Sequence, residues 1–593
     1  MRHKMAIPNM MKKMARGAAT AAIGLALLAG PAAQAATATS ATAPASAKAE
    51  QAKRPNVIVI LVDDMGFSDI GPYGSEIPTP NLDMLASNGI RFTQFYNSAR
   101  CSPSRASLLT GLYPHEAGVG YLDNVVRPNG AGGLQGRIAD RAVTIAEVLK
   151  PAGYFTGMAG KWHVGAQHGT PPTKVGFDRS VLFQGGTFFP DQVGKKFVTI
   201  DGNQLPLASQ EVGKGEWYSS DLLVDWTSRF VSEAKAQGKP FFLYLPFTAV
   251  HFPVMAPADE IAKFKGKYMA GWDKLRRERF ERQKKIGLID PNATLPDVLP
   301  EQYDWNKMSA RDKDRFDTIM AVYAAAISRM DRAIGTLTAD LKAKGELDNT
   351  LILFMSDNGG NAESGPDGRT GRAPWGGPTS NIFVGLNWAT LQNTPFQYFK
   401  HFTEEGGIAT PLIAYWPKGI DPKLRGTMVR APGHLVDVMP TVAELAGAKY
   451  PTRFEGNDIR PMSGRSFAGA FEGQPLMRGV PIFWEHEGNK AVRDGKWKLV
   501  AQFERPWQLY DMDADRTETR DFAAAHPDII ARMAKQWDDW AARSFVDRWP
   551  NRVNGGVITG TLEGGQPPQA KKKPGKRGKS KRKGRRAPAA AED

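Results

Sequence analysis

Two oxygen-bearing pairs and one cysteine carry the residue types that could do chemistry. Asp63-Asp64 and Asp357-Asn358 each follow an apolar run directly. Together they offer hard oxygen ligands suited to Ca²⁺ or Mg²⁺, with no thiolate or imidazole required. Asp63-Asp64 alone would sooner be read as a turn or a helix cap. A second pair in the same setting, behind the same kind of run, favours a cation site. Cys101 is the chain's one cysteine, so no internal disulfide can form. In an exported chain a free thiol is open to oxidation, and keeping one asks for a chemical reason.

The runs ahead of the two pairs say how these groups are positioned. Asn56-Val57-Ile58-Val59-Ile60-Leu61-Val62 is continuous, apolar and β-branched. That pattern fits a strand buried on both faces, in a parallel sheet covered by helices. Phe241–Leu245, Thr350–Met355 and Pro411–Trp416 look alike, and helical stretches alternate with them: Asn81–Asn88, Ala142–Leu149, Ser220–Ala236, Phe316–Lys344 and Val436–Ala446. The alternation predicts an α/β fold with a large, mostly parallel sheet flanked by helices. Ligands of such sheets sit beyond the carboxyl ends of the strands, where both pairs fall and where His251 follows a third strand. Residues 259–315, with a charged run near Arg276–Lys285, are expected to form a helical insertion on the surface. Near residue 478 the pattern changes. Val480–Trp484, Lys490–Arg493, Trp497–Val500 and Gln508–Tyr510, then a helix from Ala525 to Ser544, predict a smaller C-terminal domain of antiparallel sheet plus helix.

The chain has 593 residues, 41% of them hydrophobic and 23% charged, with 10% aromatics, which excludes collagen, coiled coil and wholesale disorder. Its net charge of +16 is unevenly spread: Arg2, Lys4, Lys12, Lys13 and Arg16 sit at one end, and eleven Lys/Arg crowd residues 571–586 at the other. The body between is nearly neutral, so the overall charge does not indicate specific nucleic-acid binding. The basic stretch to Arg16, the apolar run Gly17–Gly30 and the small-residue site Ala33-Gln34-Ala35 have the layout of a secretory signal peptide. The run is too short to span a bilayer of about 30 Å. No cysteine follows it, which excludes a lipoprotein anchor, and no later run is long enough to span, so the mature protein is expected to be soluble. Export to the periplasm or the extracellular space follows. The expected organisation is 1–35 signal peptide, 36–53 flexible lead-in, 54–477 catalytic domain, 478–550 small domain and 551–593 disordered basic tail, the tail able to touch anionic surfaces.

The string Cys101-Ser102-Pro103-Ser104-Arg105-Ala106-Ser107-Leu108-Leu109-Thr110-Gly111 resembles the first signature of the type I sulfatases. Gly153-Tyr154-Phe155-Thr156-Gly157-Met158-Ala159-Gly160-Lys161-Trp162-His163 resembles the second, and the likeness continues through His251, Asp357-Asn358, Lys400 and Trp497-Lys498-Leu499. Asn393–Phe402, Gly406–Pro411 and Gly271–Arg276 are similar to the bacterial arylsulfatase branch. Thr403-Glu404-Glu405 departs from it, where a histidine would precede the acidic residue, and is expected at the pocket rim. The resemblance implies an alkaline-phosphatase-like fold and hydrolysis of sulfate monoesters, aryl sulfates or sulfated sugars.

The resemblance also implies roles. A formylglycine-generating enzyme would oxidise Cys101 to formylglycine (3-oxoalanine). The hydrated aldehyde carries two hydroxyls, one to attack sulfur and one whose deprotonation expels sulfate; serine has only the first. One Ca²⁺ would be held by Asp63, Asp64, Asp357, Asn358 and the oxygen of modified Cys101. Lys161 and Lys400 would clasp the sulfate oxygens, Arg105 would orient the diol, His251 would protonate the leaving alcohol, and His163 would assist the second hydroxyl. His115 and His401 could line the pocket. Two rivals remain: a phosphonate or phosphodiester hydrolase on the same fold, and a non-catalytic cell-surface binding protein with Cys101 unmodified.

Overall fold

The computed structural model describes residues 54–127, 132–547, 551–553 and 556–558. The expected signal peptide, the lead-in and the basic residues 571–586 lie outside the described residues. The central element is an 11-stranded sheet. In chain order its strands are β1 (Asn56–Val62), β2 (Ile90–Tyr96), β3 (Phe155–Lys161), β4 (Arg179–Phe183), β5 (Phe197–Ile200), β6 (Asn203–Pro206), β7 (Phe241–Pro246), β8 (Thr350–Ser356), β9 (Ala409–Tyr415), β10 (Met428–Val429) and β11 (Gly433–His434). The spatial order is β10-β2-β9-β8-β1-β7-β3-β4-β5-β6, with β11 also on β2.

Every residue of β1 is buried. Ile58, Ile60 and Val62 face one hydrophobic core and Val57, Val59 and Leu61 face the other. Fully burying each such side chain stabilises by about 1.5–3 kcal/mol, which commits the run to the sheet centre. The first core is covered by α1 (Pro80–Asn88) and three longer helices, the second by α2 (Cys101–Thr110), α3 (Ile145–Leu149) and a helix near the end of the large sheet. The longer helices are α4 (Ser219–Ala236), α5 (Trp272–Lys285) and α6 (Ala310–Ala343); the late one is α7 (Val438–Ala446). β8, β1, β7 and β3 are neighbours and run parallel, so their carboxyl ends share one edge. Gly160 makes the β3–β7 approach possible, because a Cβ there would sit 1.8 Å from the Pro246 carbonyl oxygen.

Two segments differ from expectation. β9 runs antiparallel to both β8 and β2, so the sheet is mixed although mostly parallel. A strand buried on both faces reads as an unbroken apolar run in either direction. The charged segment 272–285 is not a surface insertion: Trp272, Arg276 and Arg279 of α5 are buried, and Arg279 pairs with Asp69 and Glu76.

A four-stranded antiparallel sheet follows: β12 (Ile482–His486), β13 (Asn489–Asp494), β14 (Trp497–Ala501) and β15 (Gln508–Asp511). The helix α8 (Pro527–Arg543) packs on it through Met533 and Trp540 against Phe483, Val492 and Leu499. Beyond it, 551–553 pairs antiparallel with 556–558. No helix among the described residues is long and apolar enough to cross a membrane.

Candidate active site

Four adjacent parallel strands deliver the polar groups to one edge. Asp63 and Asp64 leave β1, Asp357 and Asn358 leave β8, Lys161 ends β3, and His251 lies in the loop after β7. Gly359 lets the β8 loop close, since a Cβ on it would meet the Gly406 carbonyl oxygen at 1.9 Å. Cys101 is the first residue of α2, a helix buried along its whole length and closed by Gly111 in the left-handed region. Its N-terminus favours negative charge. Cys101 lies within electrostatic reach of Arg105, Lys161, Lys400 and Asp357.

The charges interlock. Arg105 donates from Nε and Nη2 to Asp357 Oδ2 at 3.0 and 2.7 Å, and from Nη1 to the Lys161 carbonyl at 2.7 Å. Lys161 Nζ lies 3.0 and 2.7 Å from the two Asp63 oxygens. Lys400 Nζ lies 2.8 and 3.0 Å from those of Asp64, and 3.3 Å from Glu363. Asn358 and Asn361 donate to Asp64 at 2.8 and 2.7 Å. His251 Nε2 stands 3.6 Å from Asp64, and His163 Nε2 3.4 Å from Asp123.

Burial works against every charge here, and partners decide the outcome. Asp63 is held far below the usual carboxylate range, its burial outweighed by Lys161, His251 and Arg105. Lys400 likewise outweighs burial at Asp64. Asp357 goes the other way: burial and the nearby Asp63 charge raise it well above its ordinary value. Burial and Lys161 push His251 down to about 4 and lower His163 in the same direction. Three carboxylates crowd one point, and Asn358 Oδ1 is buried there with no hydrogen-bond partner. Oxygens of Asp63 and Asp64 and a His251 nitrogen lie within 4.8 Å of one another. An all-oxygen donor set with one orphaned amide oxygen fits a hard divalent cation.

Thus Asp63, Asp64, Cys101, Arg105, Lys161, His251, Asp357, Asn358 and Lys400 come together at one strand edge, with His163 two residues past β3 and partly exposed. Sequence reasoning missed Asn361, Glu363, Arg100 and Asp123. The polar residues just beyond Gly359-Gly360 were a usable signal for the first two, and adjacency to Cys101 for the third; nothing local marks Asp123. His401 reaches the site's edge through Glu363, whereas His115 pairs instead with Glu485 at 2.8 Å. Glu405 does not line a pocket rim: it is buried against Lys498 of β14 at 3.0 Å and Arg516 at 3.2 Å.

The sulfatase family pattern matches residues 55–448, and that of the N-sulphoglucosamine sulphohydrolase C-terminal region matches 396–542. The chain is 34% identical over 547 residues to an uncharacterized sulfatase of Schizosaccharomyces pombe, covering 85% of this chain and 96% of that protein. It is 35% identical over 445 residues to an arylsulfatase of Klebsiella aerogenes, covering 71% and 93%. The solved structure of Ps i-CgsB in complex with k-i-k-neocarrahexaose superposes with a TM-score of 0.60 at 28% identity, covering 84% of this chain and 94% of that one. With two signatures, the strand-edge geometry and these relatives in agreement, the chain belongs to the type I sulfatase family and is a sulfuric ester hydrolase.

Proposed function

We propose that the chain cleaves sulfate monoesters through formylglycine made from Cys101 and one Ca²⁺ on Asp63, Asp64, Asp357 and Asn358, and that its natural substrate is a sulfated carbohydrate. The observation that carries this reading is the buried, unpartnered Asn358 Oδ1 amid three crowded carboxylates, at the strand edge that also receives the Cys101 end of α2. When present, the hydrated aldehyde supplies one hydroxyl to accept the sulfuryl group and a second to release it, while the cation supplies positive charge at the sulfate oxygens.

The chain's own residues do the rest. Lys161 and Lys400 lie on Asp63 and Asp64, and each is poised to turn its ammonium to a sulfate oxygen. Preorganised charge of this kind is worth most in a buried site. Arg105, fixed by Asp357 and the Lys161 carbonyl, keeps its positive charge within electrostatic reach of Cys101. His251 Nδ1 lies 2.5 Å from the Phe252 carbonyl oxygen, leaving Nε2 to face the pocket. An anionic ester beside Nε2 opposes the burial and the Lys161 charge that keep His251 neutral, and so favours the proton it must give the leaving alcohol. His163, with Nε2 toward Asp123, accepts the proton of the second hydroxyl.

Support for a carbohydrate comes from the complex of Ps i-CgsB with k-i-k-neocarrahexaose; the arylsulfatase relative supports activity on small aryl sulfates. Export to the periplasm or outside, maturation by a formylglycine-generating enzyme, and contact of residues 571–586 with anionic surfaces complete the reading. Mass spectrometry of the peptide holding Cys101, after co-expression with that enzyme, should show aldehyde in place of thiol. A panel of aryl sulfates, sulfated glycans and phosphodiesters then tests the substrate. An unmodified thiol in active enzyme, or preference for the phosphodiester, contradicts the reading.

A further inference from the structure

Glu363 sits where three cations meet. Its Oε1 lies 3.3 Å from Lys400 Nζ, 3.2 Å from Arg100 Nη1 and 3.1 Å from His401 Nε2. It keeps 12% exposure, the most of the four side chains, so it stands at the mouth of the pocket while Lys400, at 1%, stands inside. Burial is outweighed by Lys400 and Arg100, which hold its carboxyl well below the usual range, so it is charged.

The chain of contacts continues outward. His401 Nδ1 lies 3.0 Å from Glu487 Oε2, and Glu487 Oε1 accepts from the Tyr121 hydroxyl at 2.6 Å. Glu487 lies in the turn between β12 and β13, with φ 54° and Gly488 behind it. Asn489, first residue of β13, donates to the His401 carbonyl at 3.2 Å. The C-terminal sheet therefore reaches the edge of the pocket through this turn. His401, Glu487 and His486 lie close enough to attract a metal reading. Both nitrogens of His401 already face carboxylates, however, and Arg100 Nη1 lies 2.6 Å from Nδ1 and in contact with Nε2, so neither nitrogen is open to a metal.

The two sulfate-facing lysines are held differently. Among the described residues Lys161 ion-pairs with Asp63 alone, whereas Lys400 has both Asp64 and Glu363. Asp64 is shared with Asn358 and Asn361 and draws Lys400 down toward the strand edge. Glu363 pulls the other way, toward the mouth. A buried ammonium follows its carboxylates, because leaving it unpaired is costly.

We propose that Glu363 is a positioning residue that keeps Lys400 aimed into the anion pocket, and that Glu487 of the C-terminal sheet holds Glu363 in place through His401. This rests on the sulfate-ester reading of the site. Without Glu363, Lys400 settles on Asp64 and withdraws from the sulfate.

The test uses mature full-length enzyme and the variants Glu363→Gln, Glu487→Gln and the double variant. KM and kcat are measured on a small aryl sulfate, inorganic sulfate binding by calorimetry, and folding by melting. Coulomb attraction alone predicts that removing a carboxylate charge tightens sulfate binding. Positioning predicts the opposite: in Glu363→Gln both KM and the sulfate dissociation constant rise about tenfold with kcat within about threefold, the pattern of lost uniform binding. Glu487→Gln shifts both the same way by about threefold. The double variant is no worse than Glu363→Gln, because contacts in series do not add. If Glu363→Gln folds poorly, Glu363→Asp, which keeps the charge but draws it back, is measured the same way and weakens sulfate by a smaller factor. Unchanged or tighter sulfate binding in a folded variant, or additive losses in the double, overturns the proposal. Absence of sulfate-ester turnover in mature wild-type enzyme counts against the functional reading instead, and leaves the calorimetric comparison to decide the positioning role.

Discussion

Two arginines are completely buried beside aspartates that follow β1, and only one of them belongs to the pocket. Arg279 donates to Asp69 at 2.7 Å and to both oxygens of Glu76 at 2.7 and 2.8 Å, while Tyr323 and the Gly66 amide satisfy the other Asp69 oxygen at 2.7 and 2.9 Å. Around Arg105 the carboxylates outnumber their nearest guanidinium: Arg105 is shared between Asp357 and Asp63, Lys161 also pairs with Asp63, and Asn358 Oδ1 has no partner. The first cluster is closed and the second is open. Burying charge is costly in both. The closed cluster offsets that cost within itself and serves the fold, whereas the open one leaves like charges facing each other until a ligand or substrate arrives.

The largest expected effect breaks the open cluster at the proposed nucleophile. Cys101→Ala should abolish turnover, and Cys101→Ser should stall after transfer, since serine has no second hydroxyl with which to release sulfate. Sustained wild-type turnover by the serine variant would refute the two-hydroxyl account. Next, breaking the closed cluster with Arg279→Met should cost about 3–5 kcal/mol of stability, by stranding Asp69 and Glu76, yet leave kcat of the folded fraction unchanged. Chemical denaturation with parallel kinetics measures both, and a kcat loss without a stability loss would erase the distinction between the clusters. Removing one charge from the open cluster should do the reverse. Lys161→Met is expected to lower kcat/KM about 10²–10³-fold while costing less stability than Arg279→Met, because Asp63 keeps Arg105 beside it at 3.6 Å.

A subtler comparison uses metal. Chelation should lower the melting temperature of the wild type, because a ligand bound only to the native state stabilises it. Asp357→Asn should be inactive and insensitive to chelator, and at least as stable as stripped wild type, since it relieves the crowding between Asp357 and Asp63. Equal chelator shifts in both proteins would contradict the assigned ligand set. The smallest effect lies in pH. Burial raises Asp69 from 3.8 to about 6 despite Arg279. The unfolded chain releases this proton first, so the group's contribution to stability falls as pH rises from about 4 to about 6. The melting deficit of Asp69→Asn relative to wild type should therefore shrink by a few degrees across that window; a constant deficit would show that Asp69 titrates normally.

Much of the site was legible because it is written locally. β1 and β8 are apolar runs with Asp63-Asp64 and Asp357-Asn358 behind them, and because the two strands run parallel those ends share an edge. Cys101, Arg105, Lys161 and His163 lie within two continuous signatures, so their kinship needs no long-range knowledge. What chain order does not carry is which distant group answers each charge. Arg276–Lys285 has the composition of a solvated helix; only packing shows that Arg279 meets Asp69 and Glu76, more than 200 positions away in the chain. The direction of β9 was equally hidden, because burial on both faces looks the same in either orientation. Glu405 belongs to Lys498 of the small sheet and not to the pocket, and Glu363, His401 and Glu487 come from three separate segments. Side-chain type and local periodicity thus determined the strands and their chemistry-bearing ends, and the resemblance to the sulfatase signatures singled out Cys101. Tertiary structure alone decided the charge pairing, because a buried ion takes its partner from whatever the fold brings within about 4 Å, whatever its distance along the chain.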